Sequence, residues 1–146
     1  MIGNFMNSFS DLGYIILALS LVIAVYASIT SILSVLNQSS SLRTRALVST
    51  YCIALLMLLA SSILVYSFIT HDFGLRYVTM HSNESMPIYY VIAAFYSGQE
   101  GSLLYWSTTL SVLTAISLYI YRNANYKIIG YTTGILTAVF VFFIYV

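Results

Sequence analysis

Charge is the scarcest property of this chain. Nine side chains, five Lys or Arg and four Asp or Glu, carry all of it, 6% of 146 residues against 60% hydrophobic. So little charge beside so much apolar surface defines an integral membrane protein. The net charge of +1 is divided between separate connections, which excludes a nucleic-acid-binding patch. Cysteine is almost missing as well. Cys52 stands alone, so an internal disulfide, a CxxC redox pair and a cysteine metal cluster are excluded. Its place inside an apolar run reads as a small packing residue. Proline occurs once, at Pro87.

What is present is length of apolar run. Spans are expected at 13–36, 46–70, 102–121 and 128–146, each enough to cross about 30 Å of hydrocarbon as a helix. A membrane barrel would need strands of roughly ten residues alternating apolar with polar, whereas IALLMLLASSILVYSFI is continuously apolar. The expected fold is an all-α integral membrane protein, one domain over 1–146, with four transmembrane helices and a short interfacial helix between the second and third. No basic residue precedes the first run, and that run is too long for a secretory signal, so it reads as a retained span.

Arg43 and Arg45 follow the first span, and Arg122 and Lys127 follow the third, with no acidic residue beside them. The positive-inside rule turns both connections to the cytoplasm or matrix. The N-terminus, the connection 71–101 and the C-terminus then share the opposite side. Ala24 and Ser28, Ala27 and Ser31, and Gly130, Gly134 and Ala138 repeat every fourth residue, a spacing that lets helices approach closely in lipid. The alternative is the ordinary small-residue content of membrane helices. Tyr14, Tyr66, Tyr105, Tyr121, Tyr126, Tyr145 and Trp106 lie near span ends, as interfacial anchors do.

Asp72, Glu84 and Glu100, with both histidines, His71 and His81, are concentrated in the segment His71 to Glu100. Ionisable groups are costly in a membrane protein, so such a cluster marks a recognition surface or a site. Residues 71–83, with Gly74 and the SNES stretch, read as a surface loop. Pro87 then pre-sets the first turn of a helix, with Glu84 or Ser85 placed to cap it. Ile88, Val91, Ile92 and Phe95 make one apolar face of a helix too short to span, so it lies in the interface or dips in from it. Gly98 and Gly101 punctuate its end. Glu100 stands just before the third span, where the positive end of the helix dipole favours a carboxylate.

Asp72 with Phe73, Tyr77 with Val78, Ser82 with Asn83, Met86 with Pro87, Tyr89 with Tyr90, and then Glu100, Gly101, Ser102, Leu103 and Leu104 with Trp106 follow two spans and precede two more. This succession resembles the N-terminal region of the CcmF family, the haem lyase subunit of the multi-subunit cytochrome c maturation system, whose relative NrfE shares the pattern. The specific part lies between Asp72 and Trp106. Gln99 stands where the family often has His, and Tyr96 where Trp is common. His71 stands where Asn is usual.

The resemblance implies a role in cytochrome c biogenesis: a membrane portion of a lyase that attaches haem to apocytochrome c on the outer side of a bacterial inner or mitochondrial inner membrane. Thioether formation needs positioned thiols and vinyl groups more than acid or base chemistry. The implied partners are the remaining part of the lyase with its Trp-rich motif, CcmH-type subunits, the haem chaperone CcmE and apocytochrome c. The implied cofactor is haem b, with ligands beyond this chain; His81 is a weak candidate at most, and no metal site is expected. The chain reads as the N-terminal part of a larger or split protein, not catalytic alone. Asp72, Phe73, Tyr77, Ser82, Asn83, Pro87, Tyr90, Glu100, Gly101, Ser102 and Trp106 are candidates for family-motif and partner contacts. The alternative function is a non-enzymatic four-helix assembly factor or small respiratory-complex subunit. A small transporter is disfavoured, since no span carries an ionisable residue near its centre.

Overall fold

The computed structural model describes residues 2–70, 75–81 and 87–146, and their side chains other than those of 2–10, Arg76, Ile88 and Ile92. Among these residues are six helices: α1 (Ile2–Leu36), α2 (Ser40–Ile69), α3 (Arg76–His81), α4 (Ile88–Ser97), α5 (Gln99–Ile120) and α6 (Tyr126–Tyr145). Four stretches, Asp11–Leu36, Ser40–Ile69, Gln99–Ile120 and Tyr126–Tyr145, are long and apolar enough to cross a membrane. The protein is therefore an all-α, multi-pass membrane protein, with no strand among the described residues. The helices outrun the apolar runs. Arg43 and Arg45 sit in the opening turns of α2, since long cationic side chains reach water from a helix end while its backbone stays paired.

The four long helices form a ring. α1 lies beside α2 and α6, and α5 lies beside the same two, which puts α1 and α5 on a diagonal. Ala24 and Ala27 of α1, Ile53 and Met57 of α2 and Phe140 of α6 make the central core. Ser20, Ser31, Thr50, Ser107, Thr114, Thr133 and Thr137 are also buried in the bundle. Most of these hydroxyls donate back to a carbonyl one turn earlier, as Thr50 does to Ala46 at 2.9 Å and Thr133 to Ile129 at 2.7 Å. Hydroxyls tethered in this way are satisfied where no water reaches, so the polar lining is tolerated.

Others reach across. Ser31 donates to the Gly130 carbonyl at 2.8 Å and Ser28 to the Gly134 carbonyl at 3.0 Å, joining α1 to α6. The α2–α5 seam is joined by Ser61 and Thr108, whose hydroxyl oxygens are 2.6 Å apart. A Cβ on Gly130 would overlap Val35, and one on Gly134 would stand 2.9 Å from Ile32 Cγ1, so both glycines are needed for the close approach. The repeated small residues of the sequence thus mark a real helix contact. Ala138, the third of the series, is exposed and takes no part. Cys52 corrects another expectation: it is exposed on the outer face of α2 and packs no core.

α1 ends in a Schellman motif. Gln38 has φ 50°, its N–H donates to Val35 O at 3.4 Å, and Ser39 N–H donates to Ser34 O at 3.1 Å. Ser39 then caps α2 by accepting from Leu42 N–H at 3.5 Å. Asn125 caps α6 by accepting from Lys127 N–H at 3.0 Å. Both basic connections therefore lie at one end of the bundle, and α3 and α4 lie at the other.

Candidate functional site

Part of the stretch read as a loop is helical. α3 forms because Val78 is fully buried in a second small core with Phe68 of α2 and Val91 and Ala94 of α4, with Leu64, Leu75, Tyr77 and Phe95 packed around them. Six residues make a marginal helix alone, so tertiary packing supplies its stability. The four-residue spacing of Tyr77 and His81 was the available signal. Their rings are 4.3 Å apart and tilted by 32°, and the edge of Phe68 meets Tyr77 at 5.7 Å.

The Tyr77 phenol is set into the break between α4 and α5. α4 stops at Ser97, Gly98 is extended, and α5 starts at Gln99. A break of this kind leaves backbone groups without helical partners. Tyr77 Oη accepts from Gly98 N–H at 3.1 Å and donates toward Phe95 O at 3.2 Å, with Ala94 O at 3.5 Å. One hydroxyl thus serves both ends of the break. Burial raises the Tyr77 pKa above its ordinary value; the backbone N–H groups of Gly98 and Gly101 pull it down, and the charge of Glu100 raises it further.

Gly98 and Gly101 are required by space, since neither has positive φ. A Cβ on Gly98 would stand 2.6 Å from His81 Nε2 and 2.7 Å from Tyr77 Oη. A Cβ on Gly101 would overlap the Phe95 carbonyl oxygen and Tyr77 Oη. Tyr77, His81, Gly98 and Gly101 are therefore one packed unit. It fixes the angle at which α4 leaves the third long helix.

Glu100 lies in the first turn of α5 and is exposed. It borders a cleft of about 150 Å³ lined also by Tyr14, Leu17, Ala60, Leu64, Leu75, Tyr77, Gly101 and Leu104. A second, of about 320 Å³, shares Tyr14, Leu17, Glu100 and Leu104 and adds Leu103, Phe143 and Ile144. Both open at the diagonal between α1 and α5. The surface is apolar with a carboxylate at its rim, suited to docking and shaping. The Tyr77 hydroxyl in this lining is engaged by backbone partners at Gly98 and Phe95.

The remaining motif residues separate. Pro87 is the N-cap of α4, one position earlier than the sequence suggested, and its carbonyl accepts from Tyr90 N–H at 2.9 Å and Val91 N–H at 3.2 Å. Tyr90 is exposed against Tyr89, ring centroids 4.6 Å apart. Ser102 donates to Gln99 O at 2.9 Å. Trp106 points outward with Tyr105 edge-on to it at 5.7 Å, and Tyr96 lies 6.3 Å from Tyr105, an aromatic stripe on the outer face. His71, Asp72, Phe73, Ser82, Asn83, Glu84 and Ser85 lie outside the described residues.

His81 Nδ1 is 3.0 Å from the Tyr77 carbonyl oxygen, and its ring is packed between Tyr77 and Gly98. Among the described residues, His, Cys, Asp and Glu form no group able to hold a metal ion.

The arrangement defines a class first: a polytopic membrane protein of four spanning helices with a short helical insert folded onto one end. No family model matches the chain. It is 31% identical over 113 residues to the cytochrome c-type biogenesis protein NrfE of Haemophilus influenzae, covering 77% of this chain and 18% of that protein. It is 30% identical over 139 residues to CcmF of the same organism, covering 92% of this chain and 21% of CcmF. A solved structure of the cytochrome c haem lyase CcmF superposes with a TM-score of 0.86 at 20% identity, over 93% of this chain and 23% of that one, and shows the shared fold. By these sequence relatives the chain belongs to the CcmF/NrfE family of cytochrome c-type biogenesis proteins. It spans about a fifth of the length of the curated relatives it matches.

Proposed function

We propose that this chain is the N-terminal membrane part of a cytochrome c haem lyase, in which it shapes the outer-side surface where haem is attached to apocytochrome c. The observation that carries the reading is a coincidence: likeness to CcmF extends over 92% of the chain, and the same helices superpose on a haem lyase. The Tyr77–Gly98–Gly101 unit supports a positioning role, because it fixes a helix junction. Asp72, Phe73, Tyr77, Ser82, Asn83, Pro87, Tyr90, Glu100, Gly101, Ser102 and Trp106 are the residues assigned to this surface and its partner contacts.

The remaining part of the lyase supplies the Trp-rich motif and the ligands of haem b. CcmH-type subunits, the haem chaperone CcmE and apocytochrome c complete the assembly. The membrane is a bacterial or mitochondrial inner membrane, with both termini and 71–101 on the periplasmic or intermembrane-space side; the grouping of Arg43, Arg45, Arg122 and Lys127 at the opposite end supports that orientation.

The test is replacement of the native gene by a Gly101→Leu variant, with Leu113→Ala on the exposed face of α5 as control, followed by haem staining of c-type cytochromes. Loss of stained cytochromes in the first and normal levels in the second are expected. Normal c-type cytochromes in a strain lacking the chain altogether would overturn the proposal.

A further inference from the structure

At the end of the bundle opposite α3 and α4 lies a hollow of about 230 Å³ lined by Ser34, Gln38, Ser39, Ser40, Arg43 and Tyr126. Every lining side chain carries a hydroxyl, an amide or a guanidinium, unlike the apolar clefts at the other end. Two of the hydroxyls are already engaged: Ser34 donates to Ser31 O at 2.6 Å, and Ser39 accepts from Leu42 N–H. The charge in the hollow is Arg43, which is half-buried.

Among the described residues no carboxylate lies beside it. Arg45, Arg122 and Lys127 are at the same end, and Lys127 directly follows Tyr126, while 37–45 and 121–127 contain no acidic residue. The described carboxylates, Asp11 and Glu100, stand at the other end of the bundle. Along α1 that separation is about 40 Å at 1.5 Å of rise per residue. A cation partly withdrawn from water without a counter-charge is unfavourable, and an incoming anion relieves it.

We propose that this hollow holds the phosphate of an anionic phospholipid headgroup. Arg43 pairs with the phosphodiester, and Ser40, Gln38 and Tyr126 offer hydrogen bonds to its oxygens. The hollow lies where the α1–α2 connection meets the ends of the apolar helices α1, α2 and α6, the depth of a headgroup. Leu33, Leu36 and Ile128, exposed and within two residues of the lining residues, offer a track for acyl chains. Basic pockets between membrane helices are sites of this kind. A free phosphate shares the charge chemistry but has nothing to lay on that track.

The test uses the full chain purified in detergent, with native mass spectrometry to read retention of phosphatidylglycerol, phosphatidylcholine or inorganic phosphate. Phosphatidylglycerol should be retained in preference to phosphatidylcholine. Arg43→Gln should weaken that retention about fivefold, the effect of one cation beside an anionic lipid. Ser40→Leu, which fills the hollow and leaves the charge, should do the same. Arg122→Gln should not, because its guanidinium sits 5.1 Å over the Tyr119 ring and does not line the hollow. Equal losses for Arg43→Gln and Arg122→Gln would mean diffuse surface charge and overturn the site. Equal retention of phosphatidylcholine, or displacement of the lipid by equimolar inorganic phosphate, would overturn the anionic lipid as ligand. If Arg43→Gln loses helicity by circular dichroism, Ser40→Leu decides.

Discussion

Tyr77 shows how one side chain can hold a junction. Replacing it with Phe keeps the ring against Phe68 and His81 but strips Gly98 N–H of its acceptor and Phe95 O of its donor. Thermal unfolding in detergent should show a loss of about 1–3 kcal/mol, the cost of buried backbone groups left unpaired. Gly101→Ala should cost more, since its methyl must displace Tyr77 or the α4 carbonyl. The pH dependence has a definite sign: the folded-state pKa of Tyr77 is raised, so its contribution is intact below about pH 10, the ordinary phenol value, and is lost as pH rises above it. Tyr77→Phe should remove that alkaline step from the melting profile. The sequence made Tyr77 and Gly101 visible as motif members, but their partnership was not legible. Nothing in a one-dimensional pattern reveals that a hydroxyl from α3 reaches the backbone 21 residues on.

At the scale of elements, apolar length alone made the four long helices legible, because lipid leaves the backbone few alternatives. The Gly130 and Gly134 face was legible for a related reason: close approach needs small residues at helical spacing. α3 was not. Its six residues carry too few periods to announce a helix, and its stability comes from Phe68 and Val91, distant in sequence. The α1–α6 seam should be sensitive to bulk more than to hydrogen bonding. Ser31→Ala is expected to cost only about 0.6 kcal/mol, the mean for hydroxyl bonds between membrane helices. Gly130→Val, which drives a branched side chain onto Val35, should separate the helices and be read as a large drop in melting temperature. In the connection between α1 and α2, Gln38→Gly should raise stability by about 0.5–1 kcal/mol, because glycine adopts the left-handed conformation without a Cβ clash.

For the whole molecule, the two hairpins α1–α2 and α5–α6 present one basic end and one end bearing the α3–α4 insert. Cysteine accessibility checks the proposed orientation: in a Cys52→Ala background, Tyr89→Cys should react with an impermeant maleimide added outside, and Asn123→Cys only after the membrane is opened. Labelling of both from the same face would reject the proposed topology. The ring order of the helices was not legible in the sequence, since apolar faces in lipid do not say which neighbour they meet. It is settled by bonds such as Ser28 to Gly134 O and Ser31 to Gly130 O. Those bonds are addressed to main-chain carbonyls, which every residue possesses. A serine on α1 needs no matching side chain on α6, only slimness there, so the two helices can accumulate changes independently without losing grip. Such a seam lets an architecture outlive its spelling, which suits a fold that superposes at a TM-score of 0.86 while only 20% of aligned residues agree.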